Sequence, residues 1–287
     1  MSNYGFRFVN DSGIVSVDED TRAYVYLGKY GPFGANGVTD YTVDITCAGF
    51  PIIFFSVPSI TAGDGGVAGN EPWIRSGVYL RKLTYLGGNS WRVTMSGFNA
   101  STTVNGAFVS LATTLRVFGR LDLNFPGGAP GGGYGMRVWN SGGALVFDSN
   151  ARMLKLAGNT YDVELQLKKY YPGYSTGDPA ADYAAWDTAV TMPWSMAGKS
   201  IQATSRGMLH HLQLSGSYYD PGSGLTVYQY TVYDWATGYW STGSTLVARK
   251  LYVGSSVQEF AGPTSVVTSG LADVYTRLAV IDNSQFP

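Results

Sequence analysis

The sequence predicts an all-β protein: two tandem, duplicated antiparallel β-sandwich domains, with one short helical insertion in the second. One observation is composition, since charged residues make up 14% of the chain, aromatic residues also 14%, and Gly occurs 38 times, whereas typical domains are about 25% charged. Another is that short segments rich in Val, Thr, Tyr and Phe alternate with turn residues, as in sheets of short strands. A third is an internal repeat.

The repeat aligns residues 4–28 with residues 134–158 at a constant offset of 130. A repeat of this length is too long for a solenoid unit and indicates two tandem copies of one domain. Weaker matches of alternating apolar residues join 41–47 to 161–167 and 92–97 to 211–216. The identical pairs in the main match are Tyr4/Tyr134, Gly5/Gly135, Arg7/Arg137, Asn10/Asn140, Gly13/Gly143, Asp18/Asp148, Arg22/Arg152 and Gly28/Gly158.

The predicted domain boundaries follow from the repeat. The first copy is expected at residues 1–124 and the second, more elaborate copy at residues 134–287. Between them, residues 125–133 read "FPGGAPGGG", a Pro- and Gly-rich segment. This composition predicts a linker with too little apolar surface to pack.

Each copy is predicted to open with a β-hairpin, "FRFVN" and "IVSVD" around "DSG", then "MRVWN" and "ALVFD" around "SGG". Further predicted strands in the first copy are "PIIFFSV", "VYLRKLTYL", "SWRVTMSGF" and "TTLRVFGRL", with a hairpin turn at "LGGNS". In the second copy they are "LTVYQYTVYDW" and "STLVARKLYVG". The helical insertion is predicted at "GDPAADYAAWDTAV", because Asp178 can cap a helix that Pro179 begins.

The sequence predicts no metal site and no cofactor. The single cysteine, Cys47, is expected in the core. His210 and His211 are adjacent, so on a strand they point to opposite sides and cannot readily bind one metal together. The chain contains no HExxH or CxxC motif. A formal net charge of −1 provides no basic surface for nucleic acid.

Two carboxylates recur between the copies, and each is followed four residues later by an arginine: Asp18 by Arg22, and Asp148 by Arg152. On a strand, positions i and i+4 share a face, so a local ion pair is one interpretation. Another is that a carboxylate at the end of a hairpin strand accepts backbone N–H groups. The third interpretation is a glycosidase pair. The structural roles are favoured, and the chain is predicted not to be an enzyme.

Aromatic residues cluster in the second copy, in segments that also contain Gly, Asp and Pro. Tyr and Trp give a large contact area at low entropic cost and favour interfaces. The alternative is that they fill the core of a sandwich. The candidate interface residues are Tyr170, Tyr171, Tyr174, Trp186, Trp194, Tyr218, Tyr219, Trp235, Tyr239 and Trp240.

The repeated opening follows the motif Y-G-h-R-h-x-N-x-x-G-x-h-h-x-D, where h is apolar. It resembles the opening of small tail-tip proteins of siphophages, bacteriophages with long, non-contractile tails, in which the run reads like "YGLxVxNxxGxxxFDS" and begins a β-rich module. The second copy, with "NSGGALVFDSNARML", resembles it best. The first copy has "VDED" where "FDS" is expected.

The resemblance implies a virion component of a baseplate, fibre or receptor-binding complex, without an activity or a cofactor. The expected partners are other phage tail proteins, further copies of the chain in a trimer by analogy, and a receptor or glycan on the host surface. The first copy is expected to dock on the tail and the second to face outward.

The N-terminal sequence has no signal-peptide pattern, which predicts assembly in the host cytoplasm. Apolar runs such as "FPIIFFSV" are too short to span a bilayer, so no membrane insertion is expected. The alternative function is a lectin-like carbohydrate-binding module, which could belong to a cell-wall-degrading glycosidase, because Tyr and Trp rings stack on sugars.

Overall fold

The structure is a computed structural model of the 287-residue chain. It describes residues 5–10, 13–18, 23–33, 39–59, 77–98, 112–130, 135–158, 160–165, 187–203, 208–262 and 274–287.

The all-β prediction is confirmed, since nearly all regular structure in these ranges is strand. The helical elements of the described ranges are a single turn, α1 (Leu121–Asn124), and a 3₁₀ turn at Asn283–Gln285. In the first half the strands are β1 (Gly5–Asn10), β2 (Gly13–Asp18), β3 (Tyr24–Phe33), β4 (Thr39–Thr46), β5 (Ile52–Ser56), β6 (Gly77–Gly87), β7 (Ser90–Phe98) and β8 (Thr113–Arg120). In the second half they are β9 (Arg137–Trp139), β10 (Leu145–Asp148), β11 (Tyr161–Leu165), β12 (Asp187–Thr191), β13 (Lys199–Ala203), β14 (Met208–Asp220), β15 (Leu225–Thr242), β16 (Thr245–Gly262) and β17 (Val274–Asp282).

Two antiparallel sheets pack against each other, as the predicted sandwich requires. The six-stranded sheet has the order β11-β17-β13-β5-β8-β3, and the seven-stranded sheet has the order β12-β16-β15-β6-β7-β4, with β14 paired to β15. Ile45 and Val93 of one sheet share a buried cluster with Leu115 and Ile201 of the other. The predicted opening hairpins are present as β1–β2 and β9–β10, and the "LGGNS" turn joins β6 to β7.

The two halves of the chain do not form two separate sandwiches, which corrects the predicted separation at 125–133. Each sheet contains three or more strands from either side of that boundary. Phe55 of β5 pairs with Ile201 of β13 in one sheet, and Val78 of β6 pairs with Tyr239 of β15 in the other. Each half alone would leave β5 and β6 as exposed strand edges, and pairing between the halves satisfies their backbone groups.

The duplication is visible in the strand order. The first half contributes β3-β8-β5 and β4-β7-β6, and the second contributes β11-β17-β13 and β12-β16-β15, so the same chain order recurs. Equivalent hydrogen bonds also recur: the Cys47 N–H donates to the Asn89 carbonyl at 2.7 Å, and the Met192 N–H donates to the Ser244 carbonyl at 2.8 Å. Equivalent strands meet antiparallel at the junction, the arrangement that a two-fold axis produces.

This topology corrects the two weaker sequence matches. Residues 41–47 belong mainly to β4, whose equivalent is β12, whereas residues 161–165 form β11, the equivalent of β3. Residues 92–97 lie in β7, whose equivalent is β16, whereas 211–216 lie in β14. Alternating apolar residues occur in any half-buried strand. The sequence comparison therefore aligned strands that are not equivalent in the fold.

A branch of the seven-stranded sheet extends beyond the shared core. Along one edge, β15 pairs with β14 as far as Ala236 and then, at Tyr239, with β6. The sheet therefore divides near residue 237, and β14 continues with the adjoining parts of β15 and β16. Residues 208–235 and 252–262 are called the arm.

The predicted helical insertion is wrong for its last residues, and its first part, 177–186, lies outside the described residues. Residues 187–190 belong to β12, which pairs with β16 through contacts such as Val190 to Leu246. Pairing with an available strand outweighed local helix propensity here. No helix among the described residues combines the length and apolar character needed to cross a bilayer.

Candidate functional site

Asp148 is the buried centre of the second hairpin. Its side chain is 0% exposed. It accepts hydrogen bonds from the Ala129 N–H at 2.8 Å, the Asn150 N–H at 2.9 Å and the Arg137 Nε at 3.1 Å. Burial raises the pKa of Asp148, but these donors lower it by more, so the pKa lies below the usual range. The interpretation that this carboxylate accepts backbone N–H groups is confirmed.

The predicted ion pair with Arg152 is wrong, because the partner of Asp148 is Arg137. Arg137 lies directly across the hairpin from Asp148. Strand β10 ends at Asp148 and the chain turns at 149–150, so the face-sharing rule for i and i+4 no longer applies. Arg152 instead contributes its backbone carbonyl, which accepts from the Tyr26 N–H at 2.9 Å. In the first half, the Asp18 side chain and all of Arg22 lie outside what the structure describes.

The Pro- and Gly-rich segment packs against this hairpin, contrary to the linker prediction, over its described residues 125–130. Phe125 contacts the buried cluster around Leu121 and Leu145, and Ala129 donates to Asp148. Gly128 has a φ of 105°, and a Cβ there would lie 2.2 Å from the Arg137 guanidinium carbon. Asp148 and Arg137 therefore hold residues 125–130 against the second hairpin. These contacts give Asp148 a structural role.

Tyr239 and Trp240 are core residues, so the interface prediction is wrong for both. Tyr239 packs on Phe55, with ring centroids 6.1 Å apart, and its hydroxyl lies 3.3 Å from the Thr276 hydroxyl. Both residues lie where β15 crosses the shared core. They therefore fill the core of the sandwich, which was the alternative interpretation of the aromatic residues. Trp194 is half-buried against the same core.

The remaining predicted interface aromatics divide into three groups. Tyr218 and Tyr219 are 47% and 65% exposed on the arm. For Trp235 the structure gives only a strand position, opposite Leu209 and Tyr252. Tyr170, Tyr171, Tyr174 and Trp186 lie outside the described residues.

Exposed side chains lie on both faces of the arm, although Val227 within it is buried. Tyr218 and Tyr219 are neighbours on β14 and so point to opposite faces, and Val257 on β16 is also well exposed. Beside Tyr218, the Gln229 side-chain amide donates to Glu259 at 2.8 Å. At the tip, Asp220 accepts from the Gly222 N–H at 3.0 Å, which fixes the turn.

A second exposed aromatic surface lies in the first half, where the sequence predicted no site. Trp91 lies between Ile45 and Tyr85 in one row across β4, β7 and β6. The Trp91 ring centroid is 4.9 Å from that of Tyr85 and 5.4 Å from that of Phe50. We call Phe50, Tyr85 and Trp91 the Trp91 cluster. Its signal was present in the sequence, as an aromatic residue on each side of the "LGGNS" turn.

The described residues contain no group of three or more His, Cys, Asp or Glu side chains placed to hold a metal ion. Cys47 is a buried free thiol, as expected. The structure does not describe the side chains of His210 and His211.

Comparisons with protein-family models, with curated proteins and with solved structures found no match to this chain.

Proposed function

We propose that this chain is a structural binding component of a bacteriophage tail tip, in a baseplate, fibre or receptor-binding complex. The resemblance of residues 4–28 and 134–158 to siphophage tail-tip proteins suggests the class. The observation that carries the proposal is the arm, because an exposed three-stranded sheet is a surface for a partner.

The arm has the physical features of an unfinished interface. A few strands without a covered hydrophobic face are only marginally stable in water. Tyr218, Tyr219 and Val257 nevertheless expose apolar surface on both faces of it. In the described structure β14 is hydrogen-bonded to β15 alone, so its other edge offers backbone groups to a further strand. A partner that covers this surface stabilises the arm and is itself bound.

In this proposal the shared sandwich docks on the tail and the arm reaches outward, to another tail protein or to the host surface. Further copies of the chain assemble around the arms, and a trimer is the arrangement that the resemblance suggests. The protein is made in the host cytoplasm and is incorporated into the virion.

The protein acts in this proposal by binding, without turnover. The structural role of Asp148 supports this, because Asp148 is one of the two recurring carboxylates that were considered as a glycosidase pair. Its oxygens are occupied by two backbone N–H groups and Arg137.

The experiment introduces Tyr218→Ala, Tyr219→Ala and Val257→Ser together into the phage that encodes the chain. Mass spectrometry of purified particles should find the wild-type protein in the tail, and the triple variant should adsorb to cells less well. Leu156→Ala removes an exposed apolar side chain away from the arm and should leave adsorption unchanged. Absence of the wild-type protein from purified particles, or a triple variant that assembles and adsorbs normally, would overturn the proposal.

A further inference from the structure

The Trp91 cluster is a place where the two halves of the duplicated fold differ. Tyr85 and Trp91 are paired next to the β6–β7 turn, and their equivalents next to the β15–β16 turn are Ser241 and Leu246. Ser241 and Leu246 are buried, and the Ser241 N–H donates to the Pro58 carbonyl at 2.9 Å. Tyr85, by contrast, is 57% exposed. The end of the sheet beside the β15–β16 turn is therefore covered, whereas the equivalent end beside the β6–β7 turn exposes aromatic rings.

Hydrogen bonds hold two of the three rings of the cluster in place. The Trp91 indole N–H donates to the Cys47 carbonyl at 3.2 Å, and the Tyr85 hydroxyl donates to the Gly88 carbonyl at 2.8 Å. Phe50, which is 64% exposed, packs its ring edge-to-face with Trp91. Rings that are fixed before binding lose little side-chain entropy when a ligand covers them.

The two chain segments that carry the cluster are uncharged. Residues 45–51 and 85–91 contain no Asp, Glu, Lys or Arg. Arg92, the next residue, is on the opposite face of its strand from Trp91 and pairs with Asp44 at 2.7 Å. A nucleic acid would require basic residues for its phosphates, so the chemistry favours a neutral ligand.

Size distinguishes a small ligand from a protein partner. The exposed parts of Phe50 and Tyr85 amount to on the order of 250 Å², given the usual area of such side chains. A stable protein interface buries about 800 Å² on each partner. At the rim, the exposed Asn89 supplies a hydrogen-bond donor and acceptor, and the Tyr85 oxygen can accept a further bond.

We propose that the Trp91 cluster binds a neutral oligosaccharide by stacking the apolar C–H face of a pyranose ring on Phe50 and Tyr85. A pyranose combines that apolar face with a rim of hydroxyl groups, which Asn89 and the Tyr85 oxygen can engage. This site lies in the first half of the chain and does not depend on the arm. It goes beyond the proposed tail-tip role, because sugar binding is measured on the isolated protein whether or not the chain belongs to a virion.

The test uses the full chain on an array of neutral and acidic oligosaccharides. Isothermal titration then uses the neutral hexasaccharides of glucose, galactose and N-acetylglucosamine, together with any array hit. At least one neutral glycan should bind, and Phe50→Ala and Tyr85→Ala should each weaken that binding about tenfold or more. The matched control is Trp139→Ala, which removes an exposed aromatic ring from β9, away from both the cluster and the arm, and should bind as the wild type does.

Three results would overturn the proposal: no binding of any neutral glycan, binding only of acidic glycans, or neutral binding that neither substitution weakens. Sedimentation provides a further measurement, since a Phe50→Ala variant that dissociates an oligomer would make this surface a protein contact instead. If Tyr85→Ala fails to fold, Phe50→Ala decides the question, because Phe50 lies in the loop after β4 with most of its surface exposed. Trp91 is left unchanged because it also packs on the core.

Discussion

Phe55 on β5 pairs with Ile201 on β13, and this antiparallel contact joins the two halves of the chain in one sheet. Both side chains are buried in the core that the two sheets share. The duplicated units therefore share one sheet and one core, although the sequence repeats after about half its length.

Replacing Phe55 with Ala should lower the free energy of unfolding by about 3–5 kcal/mol, because it leaves a cavity in the shared core. Both halves should unfold in a single transition, measured in urea by circular dichroism and tryptophan fluorescence. Phe50→Ala is the control and should cost less than about 1 kcal/mol, since it removes mainly one edge-to-face contact. Two separate transitions in the wild-type protein would contradict the shared core.

Replacing Asp148 with Ala should lower the free energy of unfolding by about 2–3 kcal/mol, because buried donors lose their acceptor. The wild-type contribution should also depend on pH. The pKa of Asp148 is depressed in the folded state, so its contribution is complete above the usual aspartate pKa and is lost as pH falls below it.

The measurement for Asp148 is urea unfolding between neutral and acidic pH. Asp44→Ala is the matched control, since it removes an exposed carboxylate paired with Arg92 and solvent screens such pairs. If the difference between wild type and Asp148→Ala did not shrink as pH falls, Asp148 would not carry the proposed hydrogen bonds as a carboxylate.

A double-mutant cycle should separate the two arginines that could serve Asp148. Asp148→Ala and Arg137→Ala should be coupled by about 0.5–3 kcal/mol, because the two side chains are in contact. Asp148→Ala and Arg152→Ala should have additive effects on the free energy of unfolding. Coupling to Arg152 in place of Arg137 would restore the interpretation based on sequence spacing.

Gly128→Ala should be more destabilising than Gly87→Ala. Both glycines have a φ near 105°, which costs an alanine roughly 1–2 kcal/mol. Only at Gly128 would the new Cβ also meet the Arg137 guanidinium, whereas nothing lies within 4 Å of the corresponding atom at Gly87. Thermal unfolding of both variants measures the difference, and equal losses of stability would show that residues 125–130 do not pack on the hairpin as described.

Local features of this protein could be predicted from the sequence because they depend on neighbouring residues. Alternating apolar side chains and turns rich in Gly and Asn specify the β1–β2, β9–β10 and β6–β7 hairpins. The burial of Cys47 follows from the same alternation. The helix expected through residues 177–190 failed at its end, where pairing of β12 with β16 overrides local propensity.

The all-β class, the hairpins, the repeat and the residues that recur in it could be predicted from the order of the amino acids, because strand periodicity and turn chemistry are local. The pairing of β5 with β13, the choice of Arg137 over Arg152 as the partner of Asp148, and the burial of Tyr239 beside the exposure of Tyr219 and Tyr85 are known only from the folded chain. These features depend on strand pairing between the halves and on what covers each face, and both bring together residues far apart in the chain. The alternation within one strand gives two faces but does not specify what lies against them.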